Sequence, residues 1–347
     1  MVDYRRILLI RTDRLGDLVL STPAIASFRR SFPHARIEAL VGDYNEPILR
    51  FNPDLDAVHV IPGRTTAAQA RAIARRLGEG VDLAVALAPR TADHRLAWMT
   101  GARNRLGYVY RRRYISRLAA RVMLTDFCIS DADPDLADRY PHRPVAHEVD
   151  QVLALVMLAG GDTTSTELVL VVGDDAAKFA REHVPEGSVG VNLAPRWFEA
   201  DFGFDAMRAL LERLSTEHRD VVVTYGSDVR DAALRLGGAV RAPNVIWIGE
   251  QHVLHWAASV GRCRVLVSVD CGALHVAAAL HAAVVAVYER RYFRLSSQEW
   301  SPWRVPSVIL CKPPLGASIA PLVDDIAAGV RGLAAQRAAL QPLPLES

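Results

Sequence analysis

Residues 11–23 read Arg-Thr-Asp-Arg-Leu-Gly-Asp-Leu-Val-Leu-Ser-Thr-Pro and follow directly on the apolar run Ile7–Ile10. A buried strand ending in a polar, glycine-containing turn that opens a helix carries side chains and helix-start amides to the strand's carboxyl end. Open α/β sheets bind their ligands there. In this turn Asp17, beside Gly16, is placed either to act as a general base or to cap the helix running into Pro23. Arg11 and Arg14 are candidates for a bidentate clamp on phosphate or carboxylate, and Asp13 for a local ion pair with Arg14. A second constellation lies far downstream, where Val269-Asp270-Cys271-Gly272-Ala273-Leu274-His275 follows another apolar run. Gly272 would let a phosphate or ribose come close to the backbone, with the amides of Cys271, Gly272 and Ala273 pointing at it. On pattern alone, His275 on the apolar helix Val276–Leu280 reads as a hydrogen-bonded core histidine.

The elements that must hold these residues are legible as apolar runs alternating with helix-length segments. Ile7–Ile10, Ile37–Val41, Ala57–Ile61 and Leu83–Leu87, separated by stretches such as Pro23–Arg30 and Ala67–Leu77, predict one Rossmann-like half with a parallel sheet. A second series predicts another: Leu168–Val172, Val189–Leu193, Val221–Tyr225, Val245–Ile248, Val265–Val269 and Val284–Tyr288. Between them His147–Leu158 reads as a helix, and Gly160-Gly161-Asp162-Thr163-Thr164-Ser165 carries the turn residues of a junction. The expected domains are therefore 1–162 and 163–347. A last helical pattern spans Ile319–Leu340, and Gln341-Pro342-Leu343-Pro344 reads as a loose tail.

Composition narrows the class. A chain of 347 residues with half of them hydrophobic and 23% charged is expected to fold into two soluble globular cores. No apolar run reaches transmembrane length, and the first residues lack the features of a secretory signal, so a cytoplasmic location is expected. Cys128, Cys263, Cys271 and Cys311 are widely spaced, which points to neither a zinc site nor a disulfide framework. A net charge of +2 argues against a nucleic-acid binder. It hides a local excess, however: Arg90, Arg95, Arg103, Arg105, Arg111, Arg112, Arg113, Arg117 and Arg121 share a region whose acid is Asp93, interleaved with Tyr108, Tyr110 and Tyr114. An anionic partner is expected at that face.

The stretch Arg-x-Asp-Arg-Leu-Gly-Asp-x-Val-Leu-Ser-Thr-Pro resembles the amino-terminal signature of the heptosyltransferases, glycosyltransferase family 9. Val269–Leu280 is similar to that family's Asp-Thr-Gly-x-x-His-x-x-Ala-Ala donor motif. The resemblance implies an α/β protein of GT-B architecture, two Rossmann-like domains facing across a cleft, with acceptor held by the first and nucleotide sugar mainly by the second. It implies that the last helix packs back across the junction. It assigns the catalytic base to Asp17 and donor contacts to Gly16, Asp270, Cys271, Gly272 and His275. It further implies an inverting, metal-independent transfer of heptose from ADP-heptose, with no cofactor beyond that co-substrate.

The departures are specific. Cys271 stands where the family has threonine. The segment Asn192–Phe202 lacks the family's phosphate-binding lysine: Ala200 stands near its place, and Arg196 is the candidate replacement. Asp228 or Asp231 is the candidate for the ribose-holding acid. Tyr288-Glu289-Arg290-Arg291-Tyr292 replaces a glycine-containing loop with bulky, charged residues. Arg14, Arg90, Arg111 and Arg113 are expected to grip an anionic or lipid-linked glycan acceptor, such as a lipopolysaccharide inner core, at the inner face of the inner membrane. The rival readings are a different nucleotide sugar, a protein or metabolite acceptor, a non-catalytic nucleotide or glycan binder, and a Rossmann oxidoreductase. The last lacks its Gly-x-Gly-x-x-Gly turn.

Overall fold

In the computed structural model, which describes residues 3–133, 137, 139–140, 142–199 and 202–340, the apolar runs form two parallel sheets of six strands. The first contains β1 (Arg6–Arg11), β2 (Arg36–Gly42), β3 (Ala57–Ile61), β4 (Leu83–Ala86), β5 (Asn104–Tyr110) and β6 (Asp126–Ser130), in the order β3-β2-β1-β4-β5-β6. The second contains β7 (Ser188–Asn192), β8 (Val221–Tyr225), β9 (Val245–Gly249), β10 (Cys263–Val269), β11 (Ala283–Tyr288) and β12 (Ser307–Cys311), in the order β12-β11-β10-β7-β8-β9. Each sheet reverses its winding once, between β1 and β4 in the first and between β7 and β10 in the second. Such reversals open a crevice at the carboxyl ends of the strands.

Helices on both faces explain why the central strands read as unbroken apolar runs rather than alternating ones. Ile7, Leu8, Leu9 and Ile10 of β1 are at most 1% exposed, and each contributes roughly 1.5–3 kcal/mol by burial. Pairing of Leu9 with both Ala39 and Val85 fixes the register that brings the ends of β1 and β4 level. The helix Thr22–Ser31, with Pro23 in its first turn, lays Ala24, Ile25 and Phe28 into the core and so anchors the short helix Leu15–Leu20 that carries Asp17.

The chain divides into a unit of Met1–Val171 with Gln298–Trp300 and a unit of Val172–Ser297 with Ser301–Ser347. The first unit therefore runs past the boundary expected after Asp162. Residues 162–169 lie along the helix Thr22–Ser31: the Asp162 amide donates to Ser31 Oγ, Ser27 Oγ donates to the Ser165 carbonyl, and the Val169 amide donates to Thr22 Oγ1. This also corrects the strand expected at Leu168–Val172. Its alternation buries Leu168 and Leu170 and leaves Val171 exposed, but it forms no strand. Conversely β5, β6 and β12 were not read from the sequence. β6 is short and bounded by Asp126 and Ser130, β5 is interrupted by Arg105 and Gly107, and β12 is an edge strand with the brief apolar run Val308–Leu310.

The helix Ala320–Leu340 packs on the second unit, where Leu322, Val323, Ile326, Ala327, Val330 and Leu333 join the core around β10 and β11. The segment of the carboxyl-terminal half assigned to the first unit is Gln298–Trp300. The proline-containing tail from Gln341 lies outside the described residues, as does Ala200.

Candidate active site

In the first unit the end of β1 is organised around one buried arginine. Arg11, 2% exposed, reaches across the β1/β4 reversal and donates through Nη1 to the Leu87 carbonyl at 2.8 Å and to Ser21 Oγ at 2.9 Å. Its Nε bonds Asp13 Oδ1 at 2.9 Å, Nη1 meets Glu148 Oε1 at 2.8 Å, and Nη2 lies 3.8 Å from Asp17 Oδ2. Burial works against its charge, but the carboxylates of Asp13, Glu148 and Asp17 outweigh it and hold Arg11 cationic. A guanidinium so fully engaged is an internal scaffold, which corrects the expectation that Arg11 clamps a ligand. It also takes Asp13, the partner expected for Arg14.

Asp17 sits in the first turn of the helix Leu15–Leu20, and its side chain retains 15% exposure. Arg14 occupies the cap position with extended backbone and no side-chain cap hydrogen bond, so the helix start is not explained by capping. Burial pushes the Asp17 carboxyl up to about 7; Arg11 opposes this, while the Glu148 and Asp13 charges reinforce it. A carboxylate there is poised at the pH where a base is most useful.

Further acids close around it. Tyr108, fully buried, donates to Glu148 Oε1 at 2.7 Å, and the Tyr110 hydroxyl and Gln151 Nε2 donate to Glu299 Oε1 at 3.1 and 3.0 Å. Burial, reinforced by the Glu148 charge, raises Glu299 to about 8, so it holds a proton at neutral pH. Asp93 accepts from the Thr12 amide at 3.2 Å and from Thr12 Oγ1, and burial lifts it to about 6. It ties the turn after β1 to the helix Thr91–Met99.

In the second unit the reversal between β7 and β10 is bridged by Asn192. Its Nδ2 donates to Ser268 Oγ at 3.3 Å and Cys271 Sγ at 3.7 Å, while its Oδ1 accepts from Thr224 Oγ1 at 3.1 Å. Arg196, on the turn Pro195–Trp197, donates through Nη1 to Asp270 Oδ2 at 2.7 Å and to the Asp270 carbonyl at 2.6 Å. Cys271 has extended backbone and caps the helix Gly272–Ala279, which contains the buried His275; burial raises its thiol, keeping it protonated. Beside Arg196 stands Lys312, only 2% exposed, which follows β12 and donates from Nζ to Glu289 Oε1 at 2.5 Å and to the Arg196 carbonyl. Cations and helix-start amides thus meet at the carboxyl edge of this sheet, the arrangement that suits an anion such as a diphosphate.

The model of glycosyltransferase family 9 (heptosyltransferase) matches residues 137–318, just over half of the chain. The chain belongs to glycosyltransferase family 9. It is a glycosyltransferase, similar at 23% identity to lipopolysaccharide heptosyltransferase 3 of Escherichia coli, with 83% of each chain covered. Its fold is that of solved family 9 structures. A family member from Veillonella parvula superposes with a TM-score of 0.79 at 16% identity, covering 96% of this chain and 98% of that one. An E. coli heptosyltransferase with ADP superposes with a TM-score of 0.71 at 16% identity, covering 94% and 99%.

Against this family 9 frame, Arg196, Asp270, Cys271 and Gly272 lie together at the β7/β10 reversal, and Gly16 and Asp17 lie at the β1/β4 reversal. The arginines expected to grip an acceptor are spread over several loops. Arg14 is exposed and near enough to Asp17 to favour its charged form; Arg90, also exposed, caps the helix Thr91–Met99. Arg113 lies 4.9 Å over the Tyr110 ring, and Arg111 pairs with Asp131. Asp131, together with Asp133 at 3.7 Å from Arg112, corrects the local imbalance seen along the sequence: the chain brings acids back beside these arginines after β6. Arg111 and Asp131 also line a groove of about 480 Å³ with Tyr140 and Arg143. Asp228 and Asp231 are exposed beyond the end of β8.

Sequence reasoning missed Glu148, Glu299 and Lys312. The lysine had a signal: the chain contains two lysines, Lys178 and Lys312, among 41 basic residues, so one following an apolar run merited notice. Glu148 and Glu299 had none, because nothing local marks an acid that becomes buried beside a distant turn.

Proposed function

We propose that the chain transfers heptose from ADP-heptose to an anionic glycan acceptor of the lipopolysaccharide inner-core type, with inversion and without a metal. The observation that carries this reading is Asp17, an incompletely buried carboxylate at a sheet reversal, raised to about 7 and braced by Arg11. In it Asp17 takes the proton of the acceptor hydroxyl as that oxygen attacks the anomeric carbon. The bond from that carbon to the diphosphate oxygen breaks, and ADP leaves with the electron pair. The charge gathering on the diphosphate is met by Arg196, 38% exposed and anchored on Asp270, and by the amides at the start of Gly272–Ala279. Lys312 acts through its neighbours, holding the Arg196 backbone and the Glu289 carboxylate in place. Cys271 replaces a phosphate-binding hydroxyl with a protonated thiol, and His275 shapes the donor pocket from within the helix.

Support for the donor comes from the E. coli heptosyltransferase solved with ADP and from the cationic end of the second sheet. Support for an anionic acceptor comes from Arg14, Arg90 and Arg113, all exposed on the first unit, while Arg111 would meet it only by exchanging its partner Asp131. Four free cysteines fit a reducing cytoplasm. The bulky charged loop Tyr288–Tyr292 favours one second reading, a different nucleotide sugar. A panel of nucleotide sugars incubated with the protein and a lipopolysaccharide inner-core acceptor, followed by mass spectrometry, separates the two. Consumption of ADP-heptose alone supports the proposal; consumption of another donor in its place assigns the enzyme to that sugar, and consumption of none removes the catalytic reading.

A further inference from the structure

The helix Tyr114–Met123 of the first unit is turned inside out. Ile115, Leu118 and Val122, spaced i, i+3 and i+7 on one face, are 87%, 66% and 69% exposed, and Tyr114 beside them is 70% exposed. Ala120, on the opposite face, is fully buried in the core against Leu124. Small residues thus make the core contact while the large aliphatic ones face water, the reverse of an ordinary surface helix. Contiguous exposure of this kind marks an interaction surface.

The charges around the stripe say what covers it. Residues 111–123 contain five arginines and no acid. Arg111 and Arg112 are matched by Asp131 and Asp133, so the charge that borders the stripe comes from Arg113 at the helix start and from Arg117 and Arg121 along it. Arg117 donates to the Arg111 carbonyl and lies 6.0 Å from the Tyr114 ring, which keeps its stem beside the apolar face. Single-stranded nucleic acid would call for stacked aromatics rather than aliphatic side chains. A two-fold contact with a second copy would set Arg113, Arg117 and Arg121 against their own counterparts. A soluble glycan has no use for three exposed aliphatics. An anionic bilayer takes both features at once: aliphatics enter the boundary between headgroups and acyl chains, arginines meet lipid phosphates, and tyrosine sits at the interface.

We propose that the helix Tyr114–Met123 docks the protein on the surface of an anionic lipid bilayer, lying in its plane with Ile115, Leu118 and Val122 inserted. The inference goes beyond the transfer reaction and does not depend on which sugar is moved.

The test is flotation of the full chain with vesicles of phosphatidylglycerol and phosphatidylethanolamine, against vesicles of phosphatidylcholine alone, at low and high salt. The expected result is binding to the anionic vesicles that salt reverses. The triple variant I115S/L118S/V122S should bind about tenfold more weakly or worse, because affinity follows the inserted apolar area. Arg121→Glu should weaken binding to the anionic vesicles by about tenfold, since each basic group near the surface contributes to the attraction. Both variants alter exposed positions and should keep the wild-type melting curve and ADP affinity. The proposal is overturned by absence of binding to anionic vesicles, by equal binding to both lipid compositions, or by a triple variant that binds like wild type. It is equally overturned if the wild-type chain is a dimer that the triple variant renders monomeric, because a second copy would then cover this face.

Discussion

A carboxylate removes a proton from a sugar hydroxyl at neutral pH most effectively when its own pKa has been brought toward that range. Asp17 meets the condition because burial, reinforced by Glu148 and Asp13, lifts it to about 7 against the pull of Arg11. Replacing it in Asp17→Asn should lower kcat by about 10²–10⁴-fold with the fold retained. In the wild type, kcat/KM should rise with pH through about 7, as the carboxylate loses its proton. A rate that is flat across that range, or an active Asp17→Asn enzyme, would remove Asp17 from the mechanism. Glu299 makes a separate prediction about stability. Its folded pKa of about 8 lies above the ordinary value of 4.5, so the folded state binds the proton more tightly than the unfolded chain. Stability from this group is therefore complete below about 4.5 and is lost as pH rises through about 8. Glu299→Gln, which mimics the protonated acid, should raise the melting temperature of the first unit by a few degrees above that pH and leave it unchanged below about 4.5. Calorimetry at the two pH values decides it. At this scale the sequence singled out Asp17 but not its neighbours: Asp17 stands in a continuous motif, whereas Glu148 and Glu299 acquire meaning only when folding buries them beside it.

Elements explain where the reading along the chain succeeded. Strands buried on both faces, such as β1, β4 and β10, announce themselves as apolar runs, and the edge strands β3 and β9 are legible too, whereas β6 offers only Phe127–Ile129 and β12 only Val308–Leu310 between polar or proline-containing flanks. Lys312 escaped the motif reading for another reason. The motif register pointed to the loop after β7, where Arg196 stands, but Lys312 arrives from the opposite edge of the sheet at the end of β12 and reaches the same loop. The misread Leu168–Val172 has the complementary cause: alternation of buried and exposed residues is imposed there by packing on the helix Thr22–Ser31, without a neighbouring strand. Lys312→Met should remove the buried ammonium that holds the Arg196 carbonyl and the half-exposed Glu289 carboxylate, loosening the Arg196 backbone and weakening ADP by about tenfold. Lys312→Arg should recover part of the affinity if charge is what matters. Calorimetric titration with ADP would show equal affinity in wild type and Lys312→Met if the lysine served only to fill space.

At the scale of the whole chain, the same topological event occurs twice. Each unit winds outward from its first strand, returns, and winds the other way, leaving a reversal between β1 and β4 in one and between β7 and β10 in the other. The polar residues that do not belong to ordinary cores collect at those reversals: in the first unit Asp13, Asp17 and Glu148 outnumber the Arg11 they surround, and in the second Arg196 and Lys312 are matched by Asp270 and Glu289 beside the amides that open Gly272–Ala279. This difference in charge suits the proposed placing of the nucleotide on the second unit, on electrostatic grounds independent of any motif. It predicts that ADP slows hydrogen exchange in the backbone around Asn192–Trp197, Asp270–His275 and Lys312, the segments whose side chains and amides form the cationic end. ADP at about a hundredfold excess over its Kd should also stabilise the second unit by about 2.7 kcal/mol, the amount mass action requires of a ligand bound only by the folded state. Protection confined instead to the acids around Arg11 would place the nucleotide in the first unit and reverse the assignment, because a diphosphate brought there would face Asp13, Asp17, Glu148 and Asp93 with its own charge unmet.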